Sequence, residues 1–341
     1  MGLRPLPIRI AGWGAVSPAG WGVKPLLHAV RTGTAAVFEE TVRTPGAPRV
    51  RCARVPKPET MPAFLREPRL RRTSPIAQFS VAAALEALGE DRLAAVKEDG
   101  LRLGVIAVVV NGCVNFSRRF YAEVLPNPAT ASPLIFPETV FNAPSSHVAA
   151  VLGTKCQNYT LVGDSAQFLS AFDLASQWLE MDEVDACLIV GAEEFDWLSA
   201  EAVALLDRNL GVSEGAAAVY VERSAPSTVA LTPPRLISRR QSRAAAAQRT
   251  REDCQQLPPD SVVLFDGLAG SARTDAAETA AWKDWRAPRL SLKRLLGEGL
   301  GAGTGWQCVA ASALLAQGQI DSALVIALGN NQQSGAAYFT R

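Results

Sequence analysis

The chain has 341 residues, 48% of them hydrophobic and 20% charged, with a net charge of +1. That length holds two compact units or one large layered domain with an ample core, and the near-neutral charge excludes broad electrostatic capture of nucleic acid or of an acidic membrane surface. The longest apolar runs, Leu103–Val110 among them, are strand-length and fall well short of the roughly 20 residues of a membrane span.

Met1–Ile10 carries Arg4 and Arg9 and lacks the apolar stretch of a secretion signal. The six cysteines (52, 113, 156, 187, 254 and 308) are scattered, with no C-x-x-C and no Cys/His cluster. No metal and no cofactor are expected, and free thiols suit a reducing, cytoplasmic setting.

In chain order, Pro7–Ala11 predicts a short apolar strand running into Gly12–Pro18, read as a Gly/Pro-punctuated turn. Pro25–Arg31 predicts a helix stopped by Gly33, and residues 39–60, proline-rich and without a period, an irregular excursion. Ala77–Leu88 has helical apolar spacing with alanines for close packing, and Leu103–Val110 is apolar on both faces, as in a strand buried between layers. Helices are expected at Phe116–Val124, Glu138–Leu152 and Ala166–Met181, and strands at Tyr159–Val162, Ala186–Val190 and Ala216–Glu222. Residues 224–258 shift to prolines and arginines and read as a linker or an exposed helix. Beyond them come a strand at Val262–Phe265, helices at Thr274–Trp285 and Thr304–Leu315, and a strand at Ala323–Ala327. The alternation predicts an α/β fold with mainly parallel central strands.

Several segments carry a family likeness. Ile8–Gly20 resembles the opening strand and turn of β-ketoacyl synthases, and Arg71–Leu88 their basic-led helix. Phe136-Pro-Glu-Thr-Val-Phe-Asn142 with His147, Gly191-Ala192-Glu193 and Glu214-Gly215-Ala216 resemble further motifs of that family, in register without gaps from Pro137 to Glu193. The likeness covers most of residues 6–222 and, more patchily, 260–341. It implies a thiolase-like α-β-α-β-α five-layer fold of two pseudo-equivalent halves. Residues 1–224 would hold the nucleophile slot, 225–258 a variable connection and 259–341 a shortened second half.

Family chemistry needs a cysteine thiolate at a helix N-terminus, where the helix dipole lowers its pKa, and two histidines that assist decarboxylation and stabilise the enolate. Counting forward from Pro137 and back from Gly191 puts Ser165 in the cysteine slot. A two-residue slip would put Gln167 there, which resembles chain-length factors of type II polyketide synthases. Asp266, in Phe265–Gly270, fills the first histidine slot, and Asp275 and Glu278 follow as the family's Asp-x-x-Glu with one residue inserted. Lys293–Gly297 keeps the family's lysine and glycine but places Glu298 where the second histidine belongs. Gly329–Gln333, with Asn330, replaces the Gly-rich loop that lends N–H groups to the oxyanion hole. Asp266, Lys293 and Glu298 are expected to form a buried ion-paired cluster. The only two histidines, His28 and His147, match no catalytic slot, and His147 sits where the family's structural histidine does.

The resemblance therefore implies a degenerate, chain-length-factor-like subunit of a type II fatty acid or polyketide synthase, the aryl-polyene type among them. Such a subunit would not be an enzyme on its own. It would pair with an active ketosynthase (or with itself) through Tyr159–Val162, and Phe116, Phe120 and Tyr121 would be tunnel-wall or dimer candidates. The basic positions 235–251 and Arg66, Arg69, Arg71 and Arg72 offer charge for an acyl carrier protein. Alternatives on the same fold are a malonyl-carrier-protein decarboxylase and an acyl-binding protein. A serine hydrolase using Gly163–Gln167 would need a histidine after Ser165, and there is none.

Overall fold

The computed structural model describes residues 2–236, 242–329 and 333–341. After β1 (Arg4–Leu6), β2 (Ile8–Ser17) runs straight through the stretch expected to turn. Gly12 and Gly14 are there for contact: a Cβ on either would lie 2.1 Å from the carbonyl oxygen of Ala87 or Ala83. β3 (Gly20–Trp21) and α1 (Val23–Thr32) follow, the helix closed by Gly33 at φ 67°, the left-handed cap that glycine adopts without strain. The expected irregular excursion contains β4 (Glu39–Thr41) and β5 (Val50–Ala53), an antiparallel pair. α2 (Pro75–Lys97) outruns its predicted end at Leu88 and passes through a kink at Gly89.

β6 (Leu103–Val109) is buried at every residue. α3 (Val114–Val124) leads to α4 (Ala143–Leu152), which starts later than expected because Phe136–Glu138 is a separate 3₁₀ turn. Pro144 sits in the first turn of α4, where its missing N–H costs nothing. β7 (Asn158–Val162), α5 (Gln167–Glu180) and β8 (Ala186–Glu193) match expectation to within a few residues. α6 (Trp197–Leu206), β9 (Gly211–Ser213) and β10 (Gly215–Arg223) complete the first half; α6 was not anticipated.

Residues 225–258, expected as a connection, hold β11 (Val229–Leu231), β12 (Arg235–Leu236) and α7 (Arg243–Asp253). They are followed by β13 (Val263–Phe265), α8 (Ala272–Ala281), β14 (Arg289–Leu290) and α9 (Leu292–Leu296). α10 (Gly303–Ala316), β15 (Ser322–Leu328) and β16 (Gln333–Thr340) end the chain.

The strands form two large sheets, ordered β3-β2-β10-β8-β6-β7 and β1-β11-β16-β15-β13-β14, and a small one, β4-β5-β9. Both large sheets are mixed rather than mainly parallel: β6, β7 and β8 run parallel, as do β13, β14 and β15, while β10, β2 and β16 are antiparallel additions. α1, α5 and α10 lie between them in one continuous core that joins Ile106 and Ile189 of the first sheet to Phe265 and Val325 of the second. α2 and α4 cover the outer face of the first sheet, and α7 with Trp282 and Trp285 that of the second. The result is an α-β-α-β-α stack. α10 is buried almost all round, as a helix in the middle layer must be, and its small residues permit it: a Cβ on Gly305 would fall 2.7 Å from Ala217.

Candidate active site

The turn from β7 into α5 presents Ser165, 9% exposed, at the helix N-terminus. Ser165 lines a cavity with Gly267, Lys293, Thr304 and Gln307, from the loop after β13, α9 and the start of α10. Gln167, the first residue of α5, does not line it. The cavity is only about 20 Å³, room for about one water.

Lys293 Nζ lies 2.7 Å from Glu298 Oε2, with both side chains largely buried. Glu298 is held on all sides: its Oε1 accepts from Leu300 N at 3.0 Å, its N–H donates to Gly211 O at 2.8 Å, and its carbonyl accepts from Ser213 N at 2.9 Å. Burial pushes the Lys293 ammonium down, and the Glu298 carboxylate more than offsets this, so the net shift is upward and the lysine stays charged.

Asp266 does not join that pair. Its Oδ1 accepts from Ser291 Oγ at 2.5 Å and from Leu268 N at 3.3 Å, and burial raises its pKa. The expected three-residue cluster is thus corrected to a Lys293–Glu298 pair with Asp266 turned aside to Ser291. Glu278 stands between them electrostatically. It accepts from Gly267 N at 2.6 Å and is pushed up to about 7, mainly by burial and then by the charge of Asp266. Asp275 accepts from the amides of Ala269, Gly270 and Ser271 at 2.8 to 3.1 Å, so the Asp-x-x-Glu pair clamps the 267–271 loop.

Asn330 lies outside the described residues. Beside it, Gly329 packs close to the turn before α5: a Cβ there would sit 1.9 Å from Asp164 Oδ2 and would displace that carboxylate. His147 Nε2 bonds Glu138 Oε1 at 2.8 Å, a structural contact, and His28 is exposed.

The Gly191-Ala192-Glu193 motif does a job that sequence alone did not disclose. A Cβ on Gly191 would lie 2.3 Å from Gly301 O, so this glycine lets the second half's loop close on β8. Glu193, fully buried, accepts from Val110 N and is raised well above the usual carboxylate range by burial. Its neighbour Glu194 accepts from Asn115 Nδ2 at 3.0 Å and is pushed to about 7 by burial.

Phe116 packs against the outer core, whereas Phe120 sits 5.5 Å from Phe136 in an apolar face that exposes Tyr121, Leu125 and Phe141. β7 pairs only with β6 among the described residues, leaving its other edge open, and Tyr159 and Val162 are about half exposed there. Of the arginines at 235–251, Arg243 donates to Gly329 O and Thr274 O, and Arg251 pairs with Asp284 at 2.9 Å, so both are spent inside the fold. Arg239 and Arg240 lie outside the described residues. Among the described residues no group of three His, Cys, Asp or Glu could hold a metal ion, and no helix is long and apolar enough to cross a membrane.

The sequence matches the family described as beta-ketoacyl synthase, N-terminal domain, over residues 7–225. The chain belongs to the β-ketoacyl synthase family. No curated protein matches it. Among solved structures, it is similar to the ishigamide ketosynthase/chain length factor at 20% identity, covering 98% of this chain and 99% of that one, TM-score 0.78. A beta-ketoacyl synthase from Burkholderia phymatum STM815 matches at 16% identity, covering 99% of this chain and 100% of that one, TM-score 0.77. The ketosynthase ApeO in complex with its chain length factor ApeC, from Xenorhabdus doucetiae, matches at 15% identity, covering 98% of each chain, TM-score 0.75. These identities establish the fold, which is that of the ketosynthases.

Proposed function

We propose that this member of the ketosynthase family is a non-catalytic, chain-length-factor-like subunit. It pairs with an active β-ketoacyl synthase and shapes that partner's acyl tunnel in type II fatty acid or polyketide synthesis. The observation that carries the reading is the Lys293–Glu298 pair bordering a 20 Å³ cavity. A ketosynthase slot must admit an acyl chain and then stabilise a developing enolate oxygen. Among the described residues this slot holds no thiolate, no imidazole and room for about one water, and carboxylates would repel an enolate.

Ser165 cannot replace the thiolate. A serine hydroxyl needs an adjacent base, and Lys293 is held in its charged form by Glu298. The same lack weighs against a serine hydrolase, since His147 is committed to Glu138.

Pairing would use the open edge of β7, which offers a row of unpaired backbone groups to a second sheet. The apolar face around Phe120 and Tyr121 would then border the partner's tunnel. The solved relatives support such a partnership by their own composition: one is a ketosynthase with its chain length factor, and another, from the AntDE:AntF complex, a ketosynthase with a type II acyl carrier protein. In this reading Arg66, Arg69, Arg71 and Arg72, all exposed, contribute charge for the carrier protein.

Co-expression with an intact synthase encoded nearby tests the proposal. A 1:1 complex by native mass, lost in Val162→Lys while that variant stays folded, is the expected result. A stable homodimer indifferent to the synthase would overturn the tunnel-shaping role.

A further inference from the structure

Residues 114–140 leave the fold and return to it at one place. Gly112, at φ 59°, faces Phe141: a Cβ on Gly112 would lie 3.2 Å from the Phe141 ring and 3.6 Å from its Cα. Both ends are anchored. Cys113 is buried and meets Ser74 Oγ at 3.2 Å, and Ala143 is buried at the start of α4. Between these anchors Ile135 is the only buried residue. α3, which opens the excursion, buries none of its own.

The excursion is packed largely on itself. Phe120 of α3 lies 5.5 Å from Phe136, Ser117 Oγ donates to Thr139 O at 3.0 Å, and Ser132 N donates to Glu123 Oε2 at 3.0 Å. Beyond its flanking residues, its side-chain hydrogen bonds to the rest of the fold, among the described residues, fall at two points. At the near end Asn115 Nδ2 donates to Glu194 Oε1 at 3.0 Å and to Phe195 O at 2.8 Å. At the far end Glu138 Oε1 bonds His147 Nε2 at 2.8 Å. Phe116 adds packing against the outer core.

Little else holds α3 in place. A helix this short is marginal in water by itself. Val114, Phe116, Phe120, Tyr121 and Val124 are branched or aromatic residues that give up side-chain freedom in a helix, and Cys113 makes no side-chain cap hydrogen bond. Segments with few buried apolar groups open at free energies well below that of the whole fold. The internal contacts run from α3 to residues 132–139, so the two arms of the excursion move together.

We infer that residues 114–140 form a strap that swings open as one unit while the α-β-α-β-α stack stays folded, with Asn115 and Glu138 as its two latches. The strap carries Tyr121, Leu125 and Phe136 on its exposed side, so opening displaces this apolar face as a block and uncovers the Glu194 carboxylate at its root. The motion uses neither a partner nor the β7 edge and belongs to the isolated chain.

The test is amide hydrogen exchange of the full, isolated chain, read by mass spectrometry. The amides followed are those of residues 118–125 and of Ile135, Glu138 and Thr139, all hydrogen-bonded within the strap. They are expected to exchange through one common opening, about 100-fold or more faster than those of β6 and β8. Asn115→Ala removes one latch and should speed exchange about tenfold in both stretches, although residues 135–139 make no hydrogen bond to Asn115, and should leave β6 and β8 unchanged. Glu138→Ala should do the same from the other end. Strap exchange as slow as that of β6 would show no opening. Acceleration by Asn115→Ala confined to the first turn of α3 would show fraying, and loss of β6 protection in either variant would show a segment integral to the stack. Each of these results would overturn the inference. None of them bears on pairing, because neither latch lies on β7.

Discussion

Lys293, which lines the cavity under Ser165, faces Glu298 at 2.7 Å. Removing one partner of a buried pair leaves the other charge unmet, whereas replacing both with apolar groups is often neutral. Glu298→Ala should therefore cost about 3–5 kcal/mol in urea unfolding, and Lys293→Met with Glu298→Leu should recover most of it. A mild single variant would show that the pair is not buried in solution as the structure has it.

The two carboxyls raised to about 7, Glu194 and Glu278, set a pH dependence. Each binds its proton more tightly folded than unfolded, where glutamate titrates near 4.5. The stability this supplies is complete below that lower value and is lost as pH rises through about 7. The thermal midpoint should fall between about pH 5 and about pH 8, and Glu194→Gln should flatten the fall. A midpoint that rises over this interval would contradict the assignment.

Restoring the thiol alone should not restore chemistry. Ser165→Cys still lacks both imidazoles and the volume for an acyl chain. Condensation by this variant, followed as carbon dioxide release from malonyl-carrier protein, should stay at background. Ser165→Ala should change the rate of a complex with an active synthase by less than about twofold, since a residue outside the reaction leaves kcat/KM intact.

Gly14→Ala tests the strand that was expected to turn. Its new methyl would have to displace the Ala83 carbonyl from 2.1 Å, an overpacking cost of about 3 kcal/mol. Circular dichroism during urea titration reads it directly. A change of a few tenths would mean that α2 slides freely over β2.

Where sequence reading succeeded, the reason was periodicity or a stop signal. Leu103–Val109, apolar on both faces, is the buried strand it promised to be, and Gly33 and Gly153 close their helices in the left-handed region. It misread Gly12 and Gly14 because glycine marks close backbone approach as well as turns, and only the neighbouring helix distinguishes the two. It missed α6, which has nearly uniform apolarity and so no stripe to detect. It treated 225–258 as a connection because those strands are two or three residues long and gain their pairing from residues a hundred positions away. At the site, motif spacing brought Lys293 to Glu298 but not Asp266 to either, because a serine twenty-five residues downstream captures that carboxylate. Gln307, whose side-chain amide holds the Asp266 carbonyl at 2.6 Å, carried no motif at all.

β1 lies in the sheet of the opposite half. Residues 4–6 pair with β11, and β11 in turn pairs with residues 337–339 of β16. The two halves are thus laced together through β11, which holds β1 on one edge and β16 on the other. No cut near residue 224 would release a self-sufficient module, because β1 would be parted from β11, the strand that satisfies its backbone. This protein is gained or lost whole: a fragment expressed as the first half alone would leave Leu6, buried in the complete fold, with no sheet to enter.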